Sequence, residues 1–287
     1  MAVREPTWSV REHRRTLDEL VRRENFPVAT RLLPPRYRAR LLAVYGFARL
    51  VDDIGDEAPP DERGTLLDLV ERDLDVLYAG GRPQLPQLRE LAGTVAACRI
   101  PAEPFHRLIR ANRQDQVVHR YDTFERLREY CVLSANPVGH IVLHVFGAAT
   151  AHRMAFADRI CTALQLVEHC QDVGEDYRRG RVYLPAEDLR RFGCTEADLG
   201  RPVTPTRLRG LLAFQVDRAR RLLNEGAPLI GTLSGWARIA VAGYVAGGRA
   251  TLAAFERGGY DVLGGRLRAG RARLPAEWSR ALGRSRP

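Results

Sequence analysis

The chain has 287 residues, 45% hydrophobic and 28% charged, a balance that provides material for a sizeable buried core. Its formal net charge of +10 favours anionic partners, yet all 45 basic residues are arginine, a uniformity that reflects compositional bias as much as a binding surface. With no lysine, Schiff-base chemistry, a P-loop lysine and a lysine general base are excluded.

Residues 1–23 are polar and rich in Arg and Glu, unlike a signal peptide, and their periodicity predicts a helix near 9–24. Further amphipathic or buried helices are predicted near 35–56, 61–79, 86–99, 102–116, 123–150, 153–179, 205–226, 231–256 and 274–282. Pro59-Pro60, Gly80-Gly81, Pro101, Gly180 and the stretch 200–205 punctuate them. Strand-like alternation is nearly absent and no internal repeat is visible. The expected class is therefore all-α, one helical domain over 1–287 with a basic, solvated tail from about 266. No apolar run approaches the roughly 18 residues of a membrane span. Cys98, Cys131, Cys161, Cys170 and Cys194 show neither a CxxC pair nor metal-ligand spacing, and read as buried thiols in a reducing, cytoplasmic setting.

Two acidic stripes carry the chemistry. In the first, Tyr45, Arg49, Asp52 and Asp56 are spaced by four, three and four residues, which stacks them on one helix face among Leu41, Leu42, Val44 and Phe47. In the second, Gln165, Glu168, Asp172 and Asp176 repeat that periodicity, and Gly180 is placed to end the helix beside Arg178, Arg179 and Arg181. Paired carboxylates with adjacent arginines suit a diphosphate held through Mg²⁺, a hard cation that takes one or two carboxylates plus substrate phosphates. A solvated acidic face has the same spacing, so spacing alone leaves both readings open.

The stretch Tyr45-Gly-Phe-Ala-Arg49-Leu-Val-Asp52-Asp53-Ile-Gly-Asp56 resembles the first aspartate motif of the squalene/phytoene synthase family. Asp172-Val-Gly-Glu-Asp176 and Gly180-Arg-Val-Tyr-Leu-Pro185 resemble its second motif and flap. Tyr130-Cys131 through Ser134 and Pro137-Val-Gly139 resemble its central helix, with a small-residue break facing the cavity. Gly259-Tyr-Asp-Val262 is similar to its C-terminal element, and Asn25-Phe26 with Leu33-Pro34 stand where the family contacts diphosphate. The likeness runs in order over about residues 20–270. Where phytoene synthases carry Asn-x-x-Arg-Asp, this chain has Glu168-His-Cys-Gln171-Asp172. With Asn25-Phe26-Pro27 and Ser134-Ala-Asn136-Pro137, that difference is similar to the hydroxysqualene synthase branch of the hopanoid pathway.

The resemblance implies an isoprenoid-synthase helical bundle around a central cavity that converts presqualene diphosphate to hydroxysqualene with Mg²⁺ and without NADPH. It implies metal ligation by Asp52, Asp56, Glu168, Asp172 and Asp176, with Glu168 alternatively positioning water. Diphosphate contacts are implied for Asn25, Phe26, Arg49, Arg178, Arg181 and Tyr183, and a catalytic face for Tyr45, Arg49, Asp52, Asp56, Asp172 and Asp176. Phe26, Tyr45, Phe47 and Tyr244 read either as cation-stabilising aromatics or as core, and His140 and His169 as packing residues. Alternatives are a phytoene, dehydrosqualene or squalene synthase condensing two prenyl diphosphates, and a non-catalytic assembly factor of the same fold. Expected partners are the prenyl diphosphate, other squalene-pathway enzymes and, through the basic tail, a peripheral membrane contact. The scattered arginines match no nucleic-acid motif, so nucleic acid is not expected.

Overall fold

The computed structural model describes residues 32–265 together with 278, 279, 281 and 282. The expected helix near 9–24, the contacts expected of Asn25 and Phe26, and the basic tail from 266 lie outside the described residues, apart from those four positions.

Helices follow one another in the order α1 (Pro35–Glu57), α2 (Arg63–Tyr78), α3 (Pro86–Cys98), α4 (Glu103–Gln114), α5 (Phe124–Ser134) and α6 (Asn136–Val145). They continue with α7 (Ala151–Gln171), α8 (Val173–Arg178), α9 (Ala186–Arg191), a 3-10 turn (Glu196–Gly200), α10 (Thr206–Gly226), α11 (Leu229–Thr232) and α12 (Gly235–Arg257). The expected all-α class holds: among the described residues the β-type pairing is one isolated parallel bridge, Arg120 with Val182. No helix among them is long and apolar enough to cross a membrane.

Three predicted helices prove to be interrupted, each for a local reason. The span 123–150 breaks at Ala135 (φ −110°, ψ −48°), because Pro137 has no N–H to donate and restricts the residue before it. The span 153–179 breaks at Asp172 (φ −97°, ψ 9°), where Asp-Val-Gly is a run of weak helix formers. The span 231–256 breaks before Gly235, whose φ of +53° suits a residue without Cβ. The short α9 and the 3-10 turn are elements that periodicity did not predict, being too short to display a pattern.

Two apolar clusters hold the helices. One joins α1–α4 with α6, and in it Phe47 meets Phe105 edge-on at a centroid distance of 5.0 Å with both rings fully buried. The other gathers α7, α10 and α12 around Leu208, Leu211, Leu212 and Phe255. Burial of each such side chain stabilises by about 1.5–3 kcal/mol. Phe146 and Tyr244 pack against both clusters, and the space left between them becomes the cavity described next.

Candidate active site

A cavity runs into the bundle in two connected compartments. One, about 290 Å³, is polar and is lined by Asp52, Asp56, Asn112, Asp115, Tyr130, His169, Asp172, Asp176, Arg179, Arg181 and Tyr183, among others. The other, about 270 Å³, is apolar, with Leu41, Val44, Val138, Val142, Ile160, Leu164 and Val241 among its walls. Asp52, Leu108, Ser134, Gln165 and Glu168 border both, forming a seam.

Helix α1 supplies the acids of one wall. Asp52 reaches cavity solvent but is ringed by protein, and burial pushes its carboxyl up to about 7, with Asp56 adding to the rise and a hydrogen bond from Asn112 opposing it. Asn112 Nδ2 donates to Asp52 Oδ1 at 3.1 Å. Gly55 permits that approach, since a Cβ there would collide with Asn112 Oδ1. The opposite wall comes from α7 and α8. Burial and then the charge of Asp172 push Asp176 up to about 7, while Arg181 and Arg179 pull it down. Among the described residues no three His, Cys, Asp or Glu side chains converge closely enough to hold a metal ion by themselves.

The flap after Gly180 joins the walls. Arg181 Nη1 donates to Asp56 Oδ1 at 2.6 Å and Arg179 Nη1 to Asp56 Oδ2 at 3.3 Å. Tyr183 lies stacked on His169 with centroids 3.9 Å apart and planes 12° apart. Its hydroxyl donates to Asp115 Oδ1 at 3.0 Å, and Tyr130 donates to Asp115 Oδ2 at 2.6 Å. Asp115 is itself buried, and burial raises its pKa against the lowering effect of the Tyr130 bond. Burial also drives His169 down to about 3, so the imidazole is neutral.

The site residues named from sequence are distributed unequally. Asp52, Asp56, Glu168, Asp172, Asp176, Arg181 and Tyr183 line the polar compartment, and Tyr45 lines the apolar one with Tyr244. Arg49 instead turns along its own helix, 2.6 Å from Asp53 and 3.5 Å from Glu57, and is not part of the lining. Arg178 is exposed and its Nε donates to the Gly174 carbonyl at 3.0 Å, whereas Arg179 faces the compartment. Phe47 is core and not cavity wall. His140 pairs with Asp158 at 2.7 Å away from the cavity lining, but His169 lines it. Asn112 and Asp115 were missed. Their signal was a polar pair one turn apart at the end of the strongly amphipathic α4, continuing the row of Leu108 and Ala111.

Comparison with known proteins agrees with this architecture. The chain is 37% identical over 219 residues to hydroxysqualene synthase of Sinorhizobium fredii, covering 74% of this chain and 72% of that one. It is 33% identical over 276 residues to 15-cis-phytoene synthase of Synechocystis sp., covering 90% and 81%. The crystal structure of squalene synthase HpnC from Alicyclobacillus acidocaldarius superimposes with a TM-score of 0.77 at 41% identity, covering 85% of this chain and 93% of that one. A cavity bounded by two facing acidic helices within this helical isoprenoid-synthase fold, and a squalene/phytoene synthase family model that matches residues 21–278, lead to one conclusion: the chain belongs to the squalene/phytoene synthase family.

Proposed function

We propose that the protein converts presqualene diphosphate to hydroxysqualene. The observation that carries this reading is the seam: a polar compartment with two acidic walls and two arginines opens directly onto an apolar one. Such a cavity suits a substrate with a diphosphate head and a long hydrocarbon body. The Sinorhizobium fredii relative named hydroxysqualene synthase points the same way.

The donor set fits a divalent cation shared with an anionic ligand. Burial and neighbouring carboxylates hold Asp52 and Asp176 near 7, an excess of negative charge that a cation relieves. Asp52, Asp56, Asp172 and Asp176 all line the polar compartment, and Mg²⁺ commonly takes one or two carboxylates together with substrate phosphate. Asp52, Asp56, Asp172 and Asp176, with Glu168 at the seam, would hold the Mg²⁺, which would supply Lewis acidity to the departing diphosphate.

The chain's own residues do the rest. Arg181 and Arg179, which line the polar compartment, donate charge-assisted hydrogen bonds to phosphate oxygens. The C–O bond to diphosphate breaks with its electron pair on oxygen, leaving a cyclopropylcarbinyl cation in the apolar compartment. There the faces of Tyr45 and Tyr244 offer cation–π stabilisation of about 2 kcal/mol. Tyr183, held by Asp115 and stacked on His169, closes the polar side against bulk water. Water adds to the rearranged cation and a proton leaves, so no hydride donor such as NADPH is required.

A condensing synthase is the second reading, favoured by the 33% identity to 15-cis-phytoene synthase over 90% of the chain. Incubation with Mg²⁺ and either presqualene diphosphate or farnesyl diphosphate, with mass spectrometry of the lipid extract, separates the two. Hydroxysqualene from presqualene diphosphate, with farnesyl diphosphate untouched, supports the first. Consumption of farnesyl diphosphate to a C30 product moves the chain to the condensing branch.

A further inference from the structure

Ser134 occupies an unusual position in the seam. Its hydroxyl oxygen is shut off from bulk solvent and has no hydrogen-bond partner in the protein, although the residue borders both compartments. A buried hydroxyl left unsatisfied costs about 1–3 kcal/mol, so such a group marks a place where something else binds. The backbone explains how it arrives there. Ser134 is the last residue of α5, immediately before the break at Ala135. Asn136, just past the break, is pinned to α7 by Thr162, whose Oγ1 donates to Asn136 Oδ1 at 3.1 Å. Thr162 lies one turn before Gln165, which with Glu168 is one of two α7 residues that border the same seam.

Gln165 is oriented too. Its Nε2 lies 3.3 Å from His169 Nε2, and because an amide nitrogen only donates, the imidazole nitrogen accepts, in the tautomer that carries its proton on Nδ1. The amide nitrogen is thereby directed to His169, and Oε1 is the acceptor it turns elsewhere. Ser134 and Gln165, each carrying an oxygen acceptor, thus both border the polar and the apolar compartment. A water that donates a hydrogen to each directs its lone pair at whatever occupies the apolar side.

We propose that Ser134, together with Gln165, positions the water that captures the carbocation. This rests on the hydroxysqualene reading above. The water's lone pair forms the new C–O bond to the cationic carbon, and the displaced proton passes to the diphosphate already released into the polar compartment. Nothing is oxidised or reduced. Ser134 is a positioning residue, acting through the water and not on the substrate.

The test is product partition with presqualene diphosphate and Mg²⁺ in wild type, S134A and S134T, with diphosphate release followed in parallel. In S134A the ratio of hydroxysqualene to hydrocarbons formed by proton loss should fall about fivefold, the worth of one neutral hydrogen bond, while diphosphate release stays at the wild-type rate. S134T keeps the hydroxyl and should keep the wild-type ratio. An unchanged ratio in S134A overturns the inference and leaves the hydroxysqualene reading intact. A wild type that makes no alcohol overturns both. Should S134A fail to fold or to release diphosphate, S134C decides, since it keeps the side chain's shape and replaces the hydroxyl with a weak acceptor: a fallen ratio supports the hydroxyl's role and a wild-type ratio refutes it.

Discussion

Arg181 donates to Asp56 at 2.6 Å, joining residues 125 positions apart and tying the flap of the second acidic motif to the first. Arg181 is largely buried and Asp56 is about one-third exposed, so the pair is worth more than a surface ion pair and less than a fully desolvated one. Replacing Arg181 by Met keeps the apolar stem and removes the charge. R181M should lose about 2 kcal/mol of stability by thermal melting and at least about tenfold in diphosphate release. A variant with wild-type turnover would show that the arginine serves the fold only.

Asp115 accepts from both Tyr130 and Tyr183. In D115N the amide offers one acceptor oxygen, so one buried tyrosine hydroxyl loses its partner, costing about 1–3 kcal/mol. The flap that carries Tyr183 should then open more often. Trypsin should cut after Arg178, Arg179 or Arg181 sooner in D115N than in wild type, and equal cleavage rates would speak against Asp115 as the flap's anchor.

Asp176 gives the metal-free protein a pH signature. Its folded pKa, about 7, lies above the usual carboxylate value, so between those limits the folded state binds more protons than the unfolded chain. Its contribution to stability is present at low pH and is lost as pH rises through about 7. His169, held down to about 3, acts in the opposite sense at lower pH. Comparison with D176N cancels that background. In chelator, the melting temperature of wild type relative to D176N should fall from pH 5 to pH 8, and Mg²⁺ at pH 8 should restore it. A flat difference would dissociate Asp176 from any pH-dependent stability.

Helices α6 and α7 approach closely at Gly139, where an added Cβ would lie 2.7 Å from Cys161 Sγ and 3.3 Å from Ala157 Cβ. G139A should therefore strain the contact, against the roughly 1 kcal/mol that alanine gains in helix propensity. Removing the sulfur should relieve it. The double variant G139A/C161A should be more stable than the sum of the single changes by about 1 kcal/mol or more in denaturant melts, and strict additivity would place the strain elsewhere.

The all-helical class and most helix positions were legible because each helix writes its buried face into the chain at a 3.6-residue period. The same period put Asp52 and Asp56, and Asp172 and Asp176, in candidate pairs, and the length of the motifs carried the family. The breaks at Ala135 and Asp172 were less legible, because an apolar rhythm continues across a kink that Pro137 or a weak helix-forming run imposes. Spacing also grouped Arg49 with the acids, but Asp53 lies one turn beyond it on the same helix and takes its guanidinium.

By itself, then, the sequence determined which side chains share a helix, because that relation depends on a few neighbouring dihedral angles. Only the tertiary structure decided that Arg181 reaches Asp56, that Asp115 holds Tyr130 and Tyr183, and that Ser134 and Gln165 meet at one seam. Those relations span distant parts of the chain and follow from how whole helices pack, which is set by the summed burial of many apolar side chains and by no local motif.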